Sequence, residues 1–133
     1  MVEQVGGDHY KARVQHWDWV VMANLGYLEG CATKYVSRHH KKGGKEDLHK
    51  AVSYIDKIIE VYFSERYVNL SHFMSMKFHV RADVRRVTEE WIEEAKIPPA
   101  EAQICRNIAK WGKPDDLKYI IKEIRFLILE YES

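Results

Sequence analysis

The chain has 133 residues, 31% of them charged, with a net charge of +1 and an apolar share of 46%. That length suits one compact domain with a real core, and the near-neutral balance excludes a protein that coats nucleic acid by bulk positive charge. Two cysteines, Cys31 and Cys105, with no C-x-x-C pair exclude a disulfide scaffold, and no apolar run approaches the ~18 residues needed to span a bilayer. With no secretory apolar segment in MVEQVGGDHYK, the expected location is the cytoplasm, with both thiols reduced.

In chain order, the sequence first gives an extended lead-in segment containing His9, Tyr10 and His16 beside Gly6 and Gly7. Helical spacing of apolar residues then predicts helices over Trp17 to Tyr27, Leu28 to His40 and Lys45 to Glu65. The third is the clearest. Leu48, Ala51, Val52, Ile55, Ile58, Ile59 and Tyr62 form one stripe at three/four spacing, Glu46 and Asp47 sit in the first turn, and Gly43-Gly44 marks the break before it. A second lead-in follows with His72-Phe73 and His79, then helices predicted over Ala82 to Ala95, Pro99 to Trp111 and Pro114 to Glu132. Pro98, Pro99 and Pro114 fall at helix starts, where the missing N–H costs nothing. Strand-like alternation is absent, so the fold class is all-α.

The second half repeats the order of the first. Adding 69 to the stripe of the third helix gives Leu117, Ile120, Ile121, Ile124, Leu127, Ile128 and Tyr131, and Gly43 maps to Gly112. An offset of 72 maps Glu29 to Glu101, Lys34 to Arg106, Val36 to Ile108 and Arg38 to Lys110. An offset of 63 maps His9-Tyr10 to His72-Phe73 and His16 to His79, which places about nine extra residues near Ala95 to Pro99. The reading is a duplication, residues 1–66 and 67–133, each a three-helix unit, the two packed with pseudo-twofold symmetry into one helical domain. The second copy is eroded: Tyr35 becomes Asn107, the second turn glycine becomes Lys113, and nothing matches His40-Lys41-Lys42.

The first copy reads DHY at 8–10, then GYLEGCATKYVSRHHKKGG and EDLHKAVSYIDK. This order resembles a small phage-encoded helical domain family, long classed as of unknown function, whose members carry an HY lead-in, a G-x-x-K-Y-x-x-R helix, a Lys/Gly turn and a D-L-x-K-A-x-x-Y helix. The family includes the nucleotide kinase of T-odd coliphages, to which the chain is similar from His9 to about Ile59. The second copy resembles it at SHFM and DDLKYIIKEI. The usual family asparagine after Gly30 is Cys31. The resemblance implies a protein of the host cytoplasm, a homo-oligomer, and phosphoryl transfer to deoxynucleoside monophosphates without a Walker A loop.

The residues themselves point to phosphate. Lys34, Arg38, Lys41, Lys42, Lys45 and Lys50 fall within seventeen residues, with Glu46 and Asp47 the only acids. Lys34 and Arg38 share a helix face, and the glycine turn is expected to aim the next helix's amides at an anion. The candidate ligand-binding set is therefore His9, Tyr10, Lys34, Tyr35, Arg38, Lys41, Lys42, Gly43, Gly44, Lys45 and Lys50, with Tyr10 and Tyr35 as stacking platforms or core residues. If transfer occurs, Lys34 and Arg38 hold the phosphates in line and Asp47 orients a ligand hydroxyl, a lysine or a metal. A zinc site is not expected, because His9/His16 and His72/His79 lack two-histidine helical spacing and no cysteine cluster completes a set. Magnesium arriving with a nucleotide, near Asp47 or Glu29, is the one cofactor left open. Two other functions fit the same turn: a non-catalytic binder that sequesters a nucleotide or cyclic nucleotide against host defence, and an adaptor contacting nucleic acid or protein. Of these partners, nucleic acid is expected less than a phosphorylated small molecule, and no membrane is expected.

Overall fold

A computed structural model describes residues 14–64 and 82–133. The described residues form six helices: α1 (His16–Met22), α2 (Tyr27–Arg38), α3 (Gly44–Tyr62), α4 (Ala82–Glu94), α5 (Pro99–Ala109) and α6 (Pro114–Glu132). The protein is all-α. His9, Tyr10, His72, Phe73 and His79 lie outside the described residues.

The helices follow the predicted periodicity, with one early stop. The first helix does not reach Tyr27: it ends at Met22, and Asn24 adopts a left-handed backbone at φ 56° that a helix cannot continue through. Gly26 then caps α2, so Tyr27 opens the second helix. The same turn closes α4, where Lys96 has φ 54° and Pro98 caps α5. Even the hydrogen bonds agree, Leu25 N to Val20 O at 3.0 Å and Ile97 N to Ile92 O at 3.0 Å. Residues 95–99 therefore hold no insertion relative to 23–27, which corrects the expected nine-residue excess there. The extra length visible in the second half lies earlier, since α4 has 13 residues to the 7 of α1 and ends at the matching position.

The apolar stripes of α3 and α6 meet in one core shared by both halves. Leu48, Ala51 and Ile55 of α3 and Leu117, Ile120 and Ile124 of α6 are fully or almost fully buried. Each helix of the first half packs on its counterpart: α1 on α4, α2 on α5 and α3 on α6. Trp19 stacks on Trp91, 72 positions away, with ring centres 4.4 Å apart and planes at 12°. The Cys105 thiol, also 72 positions from its partner, donates to Thr33 O at 3.7 Å.

Two buried carboxylates tie the halves together. Glu29 of α2 accepts from Trp111 Nε1 at 3.0 Å, and the Trp111 ring meets Tyr62 edge-on. Glu101 of α5 contacts His39 Nε2 at 2.7 Å, and the His39 ring meets Tyr131 edge-on. The two clamps have the same form, carboxylate to ring N–H to tyrosine, and each crosses between halves. Glu29 and Glu101 are 3% and 6% exposed, so each needs hydrogen-bond donors, and the ring N–H supplies one. A buried carboxylate without a hydrogen-bond donor would cost several kcal/mol.

Candidate functional site

The basic turn joins α2 to α3 and divides by direction. Three backbone N–H groups fold back onto α2: those of Lys41 and Lys42 donate to Arg38 O and that of Gly44 to His39 O. The two glycines serve different needs. Gly44 has φ +60°, which a side chain resists, and a Cβ on Gly43 would overlap the Asp47 carboxylate. Asp47, only 2% exposed, thus sits against the turn at the start of its own helix. Asp116 holds the matching place in the second half, accepting from Gly112 N at 2.9 Å and Lys113 N at 3.2 Å. Of the α3 amides expected to face an anion, that of Gly44 donates instead to His39 O at 2.9 Å.

The side chains separate into two groups. His39, Lys41 and Lys45 turn toward the second half. His39 bridges Glu101 and Tyr131, Lys41 Nζ donates to Ala95 O at 2.6 Å at the end of α4, and Lys45 Nζ reaches Glu132 at 3.4 Å. A lysine at a helix C-terminus satisfies an orphan carbonyl and the dipole together. Lys42 is exposed and without an ion pair among the described residues.

Lys34, Tyr35, Arg38 and Lys50 gather on the outer face of α2 and α3. Arg38 Cζ lies 4.8 Å from the centre of the Tyr35 ring, and Lys34 Nζ and Lys50 Nζ each lie 5.4 Å from it. Tyr35 is half-buried and stacks on Tyr54 at 5.8 Å and 10°, with Tyr27 tilted against Tyr54 beyond. One part of the Tyr35 ring is packed on Tyr54, and cations surround the rest. Arg38 Nε donates to Asp47 Oδ2 at 3.3 Å, the one acid paired with these three cations among the described residues.

His16 stands behind this face, its Nε2 2.9 Å from Thr33 Oγ1. Thr33 Oγ1 donates to Glu29 O, so it accepts from His16, which fixes the Nε2–H tautomer. Burial first, and the Lys34 charge second, lower the His16 imidazole from 6.5 to about 4. His40 is also lowered, by desolvation and then by His39. Burial alone would raise the Glu101 carboxyl, but hydrogen bonding from His39 holds it below the usual range.

His39, His40 and Glu101 bring three potential metal-ligand atoms within 4.8 Å of one another. A metal would have to replace the His39–Glu101 hydrogen bond, which has a metal-free counterpart in Trp111–Glu29. The carboxylates considered for magnesium, Asp47 and Glu29, are both buried, the first held by Arg38 and the second by Trp111.

Sequence reasoning missed a cleft in the second half. A half-open space of about 550 Å³ lies between α5 and α6, its aromatic and apolar lining Trp111, Tyr119 and Ile120, its charged lining Lys110 and Lys113 with the carboxylates Asp115 and Asp116, and Asn107 beside them. Its signal was the Tyr35-to-Asn107 exchange, a lost ring between two packed helices. No helix among the described residues is long and apolar enough to cross a membrane.

Residues 6–56 match DUF3310, a protein family of unknown function. The match spans α1, α2, the basic turn and α3 as far as Asp56. No curated protein and no solved structure matches the chain.

Proposed function

We propose that the chain binds a nucleotide, or a closely related phosphorylated small molecule, on the outer face of α2 and α3. The observation that carries this reading is the set of three cations, Lys34, Arg38 and Lys50, around one tyrosine ring with a single acid between them. Like charges held this close repel one another, and a phosphate relieves that repulsion while accepting charge-assisted hydrogen bonds. Tyr35, already stacked on Tyr54, offers an aromatic edge for a base beside the phosphate site. The resemblance to the phage nucleotide kinase group, which covers these same helices, supports that ligand class.

Binding without turnover is the form the geometry favours. Phosphoryl transfer needs a group to orient the attacking oxygen, and the acid nearest the cations, Asp47, is buried and engaged with Arg38. Asp47 acts here as a positioning residue for Arg38. The two-half organisation belongs to the same reading: we infer a tandem duplication with approximate twofold symmetry. Its supports are the shared turn at 23–26 and 95–98 and the reciprocal carboxylate clamps. Assembly of several chains follows from the family resemblance.

The test is a panel of nucleoside mono- and triphosphates, with binding followed by thermal shift and turnover by diphosphate formation. A shift that Lys34→Ala and Arg38→Ala each reduce about tenfold in affinity supports the reading, a charge-assisted contact being worth ~1.5–3 kcal/mol. Diphosphate formation would restore the kinase. Binding unchanged in both variants would overturn the site.

A further inference from the structure

The second half has its own version of the face just described, and it is open where the first is filled. By their place on matching helices, Asn107 stands for Tyr35, Lys110 for Arg38, Asp116 for Asp47 and Tyr119 for Lys50. In the first half the Tyr35 ring occupies the space between α2 and α3, packed on Tyr54 with cations around it. In the second half Asn107 is short, and its amide accepts from Gln103 Nε2 at 3.1 Å on its own helix. The space a ring would fill is the cleft of about 550 Å³.

We propose that this cleft is a second binding site, for a free mononucleotide whose base takes the place that Tyr35 fills in the first half. The volume lies within the ~300–1,000 Å³ usual for small-molecule sites. Its floor is Trp111 and Ile120, both buried, and its wall is Tyr119, which is 60% exposed with its ring uncovered. An aromatic wall beside an apolar floor suits a flat heterocycle, since base–aromatic stacking contributes ~1–3 kcal/mol. Lys110 and Lys113 stand at the rim, exposed and without an ion pair among the described residues, so they are available to a phosphate. The closed first half selects for phosphate through three cations. The open second half adds a ring-shaped space in which Lys110 and Lys113 are balanced by Asp115 and Asp116, so it selects for the base.

The experiment is calorimetric titration of the full chain with each of the four deoxynucleoside 5′-monophosphates, and with inorganic phosphate. Two variants address the cleft. Asn107→Tyr returns the ring found in the first half and fills the space, while the double change Lys110→Ala/Lys113→Ala removes only exposed charge and leaves the fold unburdened. Both are expected to weaken monophosphate binding at one class of sites by tenfold or more, with phosphate alone binding far more weakly there. Lys34→Ala/Arg38→Ala is expected to leave that class intact, which separates failure of the cleft from failure of the first site. Wild-type titrations reproduced by both cleft variants would overturn the proposal, as would inorganic phosphate binding as tightly as the monophosphates in the Lys34→Ala/Arg38→Ala protein. Binding in the cleft of a short single-stranded oligonucleotide in preference to every mononucleotide would overturn it in favour of nucleic acid.

Discussion

Acid should destabilise this fold well before its carboxylates titrate, and His16 is the reason. The imidazole is buried against Trp19 and Trp91, donates to Thr33, and faces the Lys34 charge. Its folded value of about 4 lies below the ordinary 6.5. Because the folded value is depressed, the unfolded chain binds the proton first. Stability is then full above pH 6.5, falls as pH drops through the window between 6.5 and about 4, and levels off below it. The whole window corresponds to about 3 kcal/mol, and the part between pH 7 and pH 5 to about 2 kcal/mol. For a chain of this size that is a fall of roughly 6 °C in Tm. Glu101 and Glu89, both held below the usual carboxylate range by their partners, add losses of the same sign at lower pH. The assay is urea unfolding of wild type and His16→Gln at half-unit steps from pH 7.5 to 4.5. Glutamine keeps a donor toward Thr33 and cannot take the proton, so its profile should be clearly shallower than wild type between pH 7 and 5, with His40 supplying the slope that remains. Parallel profiles for the two proteins would refute the assignment of the slope to His16.

Other outcomes follow from the same contacts. Gly43→Ala should destabilise by about 1–3 kcal/mol, because its Cβ overlaps the Asp47 carboxylate and one of the two must move. The companion change Asp47→Ala should restore tolerance of alanine at 43, read as non-additivity in a double-mutant cycle. Glu101→Ala should cost about 3 kcal/mol or more, since it leaves His39 buried without its acceptor, and Glu101→Gln should cost less, both read by chemical denaturation. Cys31 is half-exposed and Cys105 is buried with its thiol pushed up by desolvation. A thiol reagent should therefore titrate one cysteine in the folded chain and the second only after unfolding.

How much of this was legible beforehand depended on how local its cause was. Helix existence and most boundaries were readable, because apolar spacing, Pro99 and Pro114 at helix starts and the glycine break act over a few residues. The early stop at Met22 had a local signal too, Asn24 followed by Gly26, but the apolar run Val20 to Leu25 masked it. The basic turn could be found as composition, yet its division of labour could not. Lys41 and Lys45 find their partners 54 and 87 positions away, and His39 finds Glu101 62 positions away. No spacing rule within seventeen residues carries that information.

By itself, then, the sequence determined an all-α chain, the stripes that make its core and the concentration of cations between Lys34 and Lys50, since periodicity and composition are properties of the strand of residues alone. Tertiary structure decided which of those cations reach across to the second half and which stay on the outer face of α2 and α3. Lys41, His39 and Lys45 are drawn to acceptors on the second half, while Lys34, Arg38 and Lys50 are left facing outward around Tyr35. It also opened a cleft between α5 and α6, beside Asn107, that no local pattern announces. The physical reason is common to both: direction and volume arise only when distant helices are brought within a side chain's reach.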